Sequence, residues 1–106
     1  MVVYVVSYDI IPGTAEAYYE WTKTAIPKAM AIPGLVEWRA YRGVAGDVGG
    51  QVVLSYEFAN MADFATYWSH EDMRKLDEEL QSFTANQSAQ LWGPSPVVPE
   101  PIRPGG

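Results

Sequence analysis

A single imidazole serves the whole chain. His70 follows the aromatics Phe64, Tyr67 and Trp68 in the stretch ANMADFATYWSHEDMRKLDEEL. Its ordinary pKa near ~6.5 suits a general acid or base at neutral pH. The plainer reading is a capping histidine at a helix break. Tyr4, Tyr8, Trp21, Trp38, Tyr56, Tyr67 and Trp68 are the second group of interest. They could line a pocket for an aromatic ligand, or they could be ordinary core.

Other chemistries find little support. His70, Glu71 and Asp72 are adjacent, so they diverge around a helix where metal ligands at i and i+4 would converge; no metal is expected. No GxSxG elbow exists for a nucleophilic serine. Gly46–Gly50 lacks the Lys-Ser/Thr and the helix of a phosphate loop. Cysteine is absent, which removes disulfides, thiolate nucleophiles and Cys-ligated metal sites.

Strands and helices must position these residues. Val2 to Asp9 reads as a strand that is apolar on both faces, with Val2, Tyr4, Val6 and Tyr8 on one and Val3, Val5 and Ser7 on the other. Pro12-Gly13 turns the chain, and Thr14 is placed to cap a helix that carries Tyr18, Trp21 and Ala25. Pro27 is expected to kink that helix or end its first segment near Ile26. After Pro33-Gly34 comes a second strand, Leu35 to Arg42, and then GVAGDVGG as a loose hairpin connection. In the third strand Val52, Leu54, Tyr56 and Phe58 alternate. The chain then enters a helix capped by Asn60, with Asp63 at its positive end and an expected break near Ser69-His70. Asp77, Glu78 and Glu79 read as a solvated face. Ser88 to Trp92 reads as a short fourth strand. Residues 94–106 form a proline-rich tail that favours extended polyproline geometry, outside a domain of residues 1–93.

Composition narrows the partners. At 106 residues the chain is one domain. The net charge of −6 leaves no basic patch for phosphate backbones, so nucleic acid is not expected. The N-terminal MVVYVVSYD lacks a basic leader and reads as a strand rather than a signal peptide. No run approaches the ~18 apolar residues that span a membrane, and a cytoplasmic location is the default.

The order β-α-β-β-α-β, with right-handed crossovers, gives a four-stranded antiparallel sheet with helices on one face. This is the ferredoxin-like α+β arrangement. The doubly apolar first strand asks for cover on the open face, and two sheets meeting there would form a dimeric α/β barrel.

The residue pattern is more specific than the order. A PG turn leads to an aromatic helix, PGL to a strand ending YR, and a third strand runs directly into FANMADFATYWSHEDMRKLDEEL. Over most of Val2 to Leu80 this resembles the antibiotic-biosynthesis-monooxygenase-like branch of the dimeric α/β-barrel superfamily. The resemblance implies a pocket between the sheet and the helices of each subunit. It also implies a hydrophobic, aromatic or polyketide-like ligand and oxygenation without a bound cofactor. Non-catalytic ligand binding or assembly, or cyclase or lactone-isomerase chemistry, are the alternatives.

Site residues transfer only in part. Relatives often carry a histidine two places after His70, where this chain has Asp72. Haem-degrading relatives use an asparagine and a histidine where this chain offers Ser7 and Asp77, so haem ligation is not expected. Related cyclases pair a tyrosine with a histidine six residues on. Tyr67 matches that tyrosine, but Met73 takes the histidine place, and His70 could substitute only if turned inward. The catalytic candidates are therefore His70, as the sole imidazole, and Tyr67, which matches the cyclase tyrosine; the ligand-binding candidates, by residue type, are Tyr8, Trp21, Trp38, Tyr56 and Trp68. A homodimer through the open sheet face is expected, with the tail across the partner subunit.

Overall fold

The near-continuous run of β-branched and aromatic residues in Val2–Ile10 makes strand β1, and it lies inside the sheet, between two neighbours. The computed structural model describes residues 1–46 and 51–105. After β1 come α1 (Ala15–Met30), β2 (Leu35–Arg42), β3 (Val52–Phe58), α2 (Met61–Ser69), α3 (Glu71–Gln81) and β4 (Thr84–Trp92). The strands pair antiparallel in the order β2-β3-β1-β4. The ferredoxin-like fold is therefore as expected.

Register decides which side of β1 faces the helices. Tyr4 pairs with Tyr56 and Val6 with Leu54. Val2, Val6, Tyr8, Leu54, Tyr56 and Phe58 are all buried, with Tyr4 partly so. Above them pack Tyr18 and Ala25 of α1, Tyr67 of α2, and Met73, Leu76 and Leu80 of α3. The odd-numbered side of β1 is the open face. There Val3 pairs with Trp92 and Ser7 with Val53. Trp92 is 57% exposed and Tyr41, which pairs with Val53, is 51% exposed.

Local devices at the helix ends follow from sequence. The Asn60 side chain accepts the Asp63 N–H at 2.8 Å and caps α2. The chain breaks at His70, which ends α2 in an extended conformation and caps α3 through its own side chain. Gly34 is required at its position. Its φ is +109°, and a Cβ there would stand 3.2 Å from the Asp63 carbonyl oxygen.

Three expectations need correction. Of the two outcomes expected at Pro27, an end near Ile26 does not occur, because helix α1 runs through Pro27 to Met30. The proline removes one donor, to the carbonyl of Lys23, an exposed residue where water can replace it. Pro27 itself accepts from Ala31 N–H at 3.1 Å, closing the last turn. Thr14 stands at the start of α1 but makes no side-chain cap; its hydroxyl donates to the Ile11 carbonyl (2.7 Å) and reaches that of Phe83 (3.2 Å). Strand β4 begins at Thr84, four residues before Ser88. Its early part is concealed by weak strand formers and by a bulge, where Asn86 and Gln87 lie between the partners of Ser7 and Asp9 and Asn86 adopts φ 57°. Of the expected loose connection, Gly43 N–H bonds the Gln51 carbonyl, and residues 47–50 lie outside the described residues.

The bulge is tied down by Asp9. Its carboxylate accepts from Asn86 Nδ2 (3.1 Å) and from Gln51 N–H (2.9 Å), while Gln51 Oε1 accepts from Ile10 N–H (3.0 Å). The Asn86 and Gln51 hydrogen bonds hold the Asp9 carboxyl below its ordinary value. Beyond Trp92 the chain has no strand or helix through residue 105. Val97 and Ile102 of the tail are 85% and 79% exposed.

Candidate functional site

Between the sheet and helices α1 and α3 lies a cavity of about 240 Å³. Its floor is made by Val6 and Tyr8 of β1, Trp38 and Ala40 of β2, and Leu54 and Tyr56 of β3. Period two puts each of these on the inner face. Helix α1 contributes Tyr18, Trp21, Ala25 and Ala29, which follow one another at three- and four-residue steps. Trp68 of α2 closes one side, with Met73, Leu76, Asp77 and Leu80 of α3. The aromatic side chains of the wall form two groups, one around Tyr56 and one around Tyr18. Tyr56 meets Trp38 edge-on at 6.4 Å and Trp68 at 5.8 Å between ring centroids, and Tyr18 lies 6.3 Å from Trp21.

The phenols along this wall hold their protons. The Tyr8 and Tyr18 hydroxyls are hydrogen-bonded at 2.6 Å. Burial pushes the Tyr8 phenol well up, and the bond from Tyr18 adds to this. Tyr18 is also raised by burial, although its bond with Tyr8 acts the other way. Tyr56 is raised chiefly by burial, against the pull of the neighbouring Trp38 indole, with the Asp77 charge among the smaller causes. Asp77 also contributes, after burial, to raising Tyr4. Among the described residues, Asp77 is the one charged side chain on the cavity wall.

The five residues expected at the ligand, Tyr8, Trp21, Trp38, Tyr56 and Trp68, all line the cavity. Tyr67 and His70 do not. Tyr67 is completely buried, and its hydroxyl donates to the Ala29 carbonyl at 3.1 Å, joining α2 to the end of α1. Burial pushes its phenol up to about 12. His70 Nδ1 accepts the Asp72 N–H at 3.1 Å. That leaves no Nδ1 proton for a charged pair with the Asp72 carboxylate 3.9 Å away, and the hydrogen bond describes the contact better. Tyr4 lies on a neighbouring cleft with Val6, Trp68, Asp77 and Gln87.

Asp77 is the residue that sequence reasoning assigned to a solvated face. It is half-buried, whereas Glu78 and Glu79 are exposed as expected. The sequence does carry a signal for it. Met73, Leu76 and Leu80 form the apolar stripe of α3, and Asp77 stands four residues after Met73 and three before Leu80, inside that stripe. A second cleft is lined by Trp68, Met73, Arg74, Asp77 and Glu78. Trp68 and Asp77 are thus shared by the cavity and both clefts.

A family model described as a domain of unknown function (DUF4286) matches residues 1–90. No curated protein matches the sequence. Solved structures do match in fold. SnoaB, a cofactor-independent oxygenase from Streptomyces nogalater, superposes with a TM-score of 0.70 at 17% identity, covering 93% of this chain and 97% of its own. An antibiotic biosynthesis monooxygenase gives 0.71 at 14% identity, over 91% and 100% of the two chains. A dimeric ferredoxin-like protein of unknown function from Thermobifida fusca gives 0.69 at 17% identity, over 86% and 88%. The resemblance to antibiotic biosynthesis monooxygenases holds at the level of fold. Among the described residues, no helix is long and apolar enough to cross a membrane.

Proposed function

The chain belongs to the DUF4286 family, and we propose that in this member the cavity binds a small hydrophobic aromatic molecule and oxidises it with dioxygen, without a bound cofactor. The observation that carries the proposal is the cavity itself: an aromatic and aliphatic wall with one carboxylate. Ligand sites generally have this make-up, mostly apolar with few polar groups. The likeness in fold to SnoaB supports the choice of oxygenation over other chemistries.

The chemistry needs only a proton acceptor and a dry pocket. Removing a proton from a phenol or from the acidic methylene of an anthrone leaves an electron-rich anion. That anion can reduce dioxygen directly. For an anthrone the methylene becomes a carbonyl: one oxygen atom of dioxygen becomes the carbonyl oxygen and the other leaves as water with the two methylene hydrogens. A cavity of about 240 Å³ lies near the lower end of the usual range for small-molecule sites, about 300–1,000 Å³, which suits a compact aromatic molecule better than an extended polyketide. Incubation with a panel of quinols, naphthols and anthrones, followed by oxygen uptake, tests the reading. A rate above the uncatalysed background is expected for at least one compact member. Background rates throughout would refute it.

One observation favours a second reading, a binding module of the same fold without turnover. Neither Tyr67 nor His70 reaches the cavity. A ligand that co-purifies and is retained without being changed would select this reading.

The subunit arrangement that fits the site is a homodimer. In a lone chain the open sheet face leaves Trp92 and Tyr41 in water, beside half-buried Val3 and Val5. Pairing two such faces would cover them, and an isologous contact closes without leaving a repeatable edge. The apolar tail residues Val97 and Ile102 find no cover on their own subunit. We place them across the partner.

A further inference from the structure

We propose that Asp77 is the catalytic proton acceptor of this cavity and the group that selects its ligand, favouring aromatic molecules with a free hydroxyl over those without one. The inference rests on the reading of the cavity as a site for a small aromatic molecule, and it adds the residue and the ligand class.

Placement is the first argument. Asp77 stands within the apolar stripe of α3, a position where helical spacing would normally demand a hydrophobic side chain. A half-buried carboxylate there loses hydration that a leucine would not miss. Its hydrogen bond on the outer side, from Gln81 Nε2 to Oδ2 at 3.0 Å, fixes the carboxylate without neutralising it. The second argument is access. Asp77 and Trp68 line the cavity and also both surface clefts, so the carboxylate stands on the cavity wall and within reach of the surface. The third is the lack of a rival. The phenols of Tyr8, Tyr18 and Tyr56 are raised, so at neutral pH they are protonated and cannot accept a proton. Tyr4, on the adjoining cleft, is raised as well. Arg74 and Glu78 share the outer cleft with Asp77 and do not line the cavity.

The step is simple. The O–H bond of a phenol or enol breaks, its proton moves to a carboxylate oxygen of Asp77, and the electron pair remains on the ligand as a phenolate or enolate. Nothing is oxidised or reduced in this step. In the resting complex the same carboxylate accepts a hydrogen bond from the ligand hydroxyl, and a charged acceptor makes that bond strong. A ligand whose hydroxyl is methylated offers no donor and leaves the carboxylate unpaired.

Binding can be measured without any turnover. Isothermal titration calorimetry under anaerobic conditions would compare 1-naphthol with 1-methoxynaphthalene on the full chain. The wild type should bind the naphthol roughly 10- to 100-fold more tightly, the range for a hydrogen bond to a charged group. In Asp77→Asn that preference should fall to within a few-fold, with affinity for the ether held. Asp77→Glu should keep part of it, and the exposed control Glu79→Gln all of it. Oxygen uptake with the best hydroxylated substrate should drop in Asp77→Asn by about 10²–10⁴-fold in kcat, with KM rising by the factor lost in naphthol affinity. Equal binding of the two naphthalenes to the wild type, or a preference that survives Asp77→Asn, would overturn the role of Asp77 and leave the cavity as a ligand site. Binding of neither compound would overturn both.

Discussion

Replacing Tyr67 by phenylalanine separates a structural hydroxyl from a catalytic one. The ring is completely buried and packs on Phe58 at 5.2 Å and Tyr56 at 6.1 Å between centroids. Phenylalanine keeps that packing and opens no cavity larger than an oxygen atom. What disappears is the 3.1 Å bond to the Ala29 carbonyl. That carbonyl retains the Ile32 N–H at 3.3 Å, so it is not orphaned. The cost should therefore sit near the middle of the usual range, about 1 kcal/mol. With a urea m-value of ~1.5 kcal/mol/M, in the range for a small domain, the unfolding midpoint should fall by about 0.7 M at unchanged slope. The corresponding fall in Tm is about 4 °C. Both proteins must be compared at one protomer concentration, since dimerisation adds to apparent stability. Turnover, or ligand affinity if no turnover exists, should stay within two-fold of the wild type. An unshifted midpoint together with a hundred-fold loss of activity would refute the reasoning and restore Tyr67 to the reaction.

His70→Ala should cost ~0.5–1 kcal/mol through loss of the cap on α3, with activity unchanged; thermal melts and oxygen uptake on the same preparation check both halves. Alkaline stability follows from the raised phenols Tyr8, Tyr56 and Tyr67. Below pH ~10 both folded and unfolded chains keep these protons, and above it the unfolded chain loses them first, so stability falls as pH rises past that value. Urea midpoints between pH 8 and 11.5 should be flat and then decline, and a rise above pH 10 would contradict the assignment. Sedimentation equilibrium at micromolar concentration should give twice 11.8 kDa, and Val5→Glu on the open face should reduce this to one chain. A wild-type monomer would sink the proposed assembly.

The fold was legible because its elements announce themselves locally. Val52, Leu54, Tyr56 and Phe58 alternate over their whole length, and the Asn60 cap and the break at His70 are written in residues adjacent to the event. Where legibility failed, a distant partner decided the outcome. Nothing near Asn86 signals that it lies in a strand; the bulge exists because β1 pairs there and Asp9 accepts its side chain. Thr14 looked like a cap from its position, but its hydroxyl is drawn to carbonyls that include that of Phe83, 69 residues later. For the cavity, residue type was enough to find the five aromatics. Asp77 was passed over because the run Asp77-Glu78-Glu79 suggests a charged face when read as composition. Read at helical spacing, its first member belongs with Met73 and Leu80.

The division of the second helical region at His70 has a consequence for motion. Nine and eleven residues are both below the ~12–15 at which an isolated helix becomes even marginal in water. Helix α3 is therefore held chiefly by Met73, Leu76 and Leu80, while its outward surface is charged. Capped separately, it can detach as one short piece without unwinding α2. Its amide protons should exchange with solvent together, at a lower opening free energy than those of β1. This piece also carries Met73, Leu76, Asp77 and Leu80 of the cavity wall, so its detachment removes one side of the cavity. A bound ligand should therefore slow amide exchange along α3.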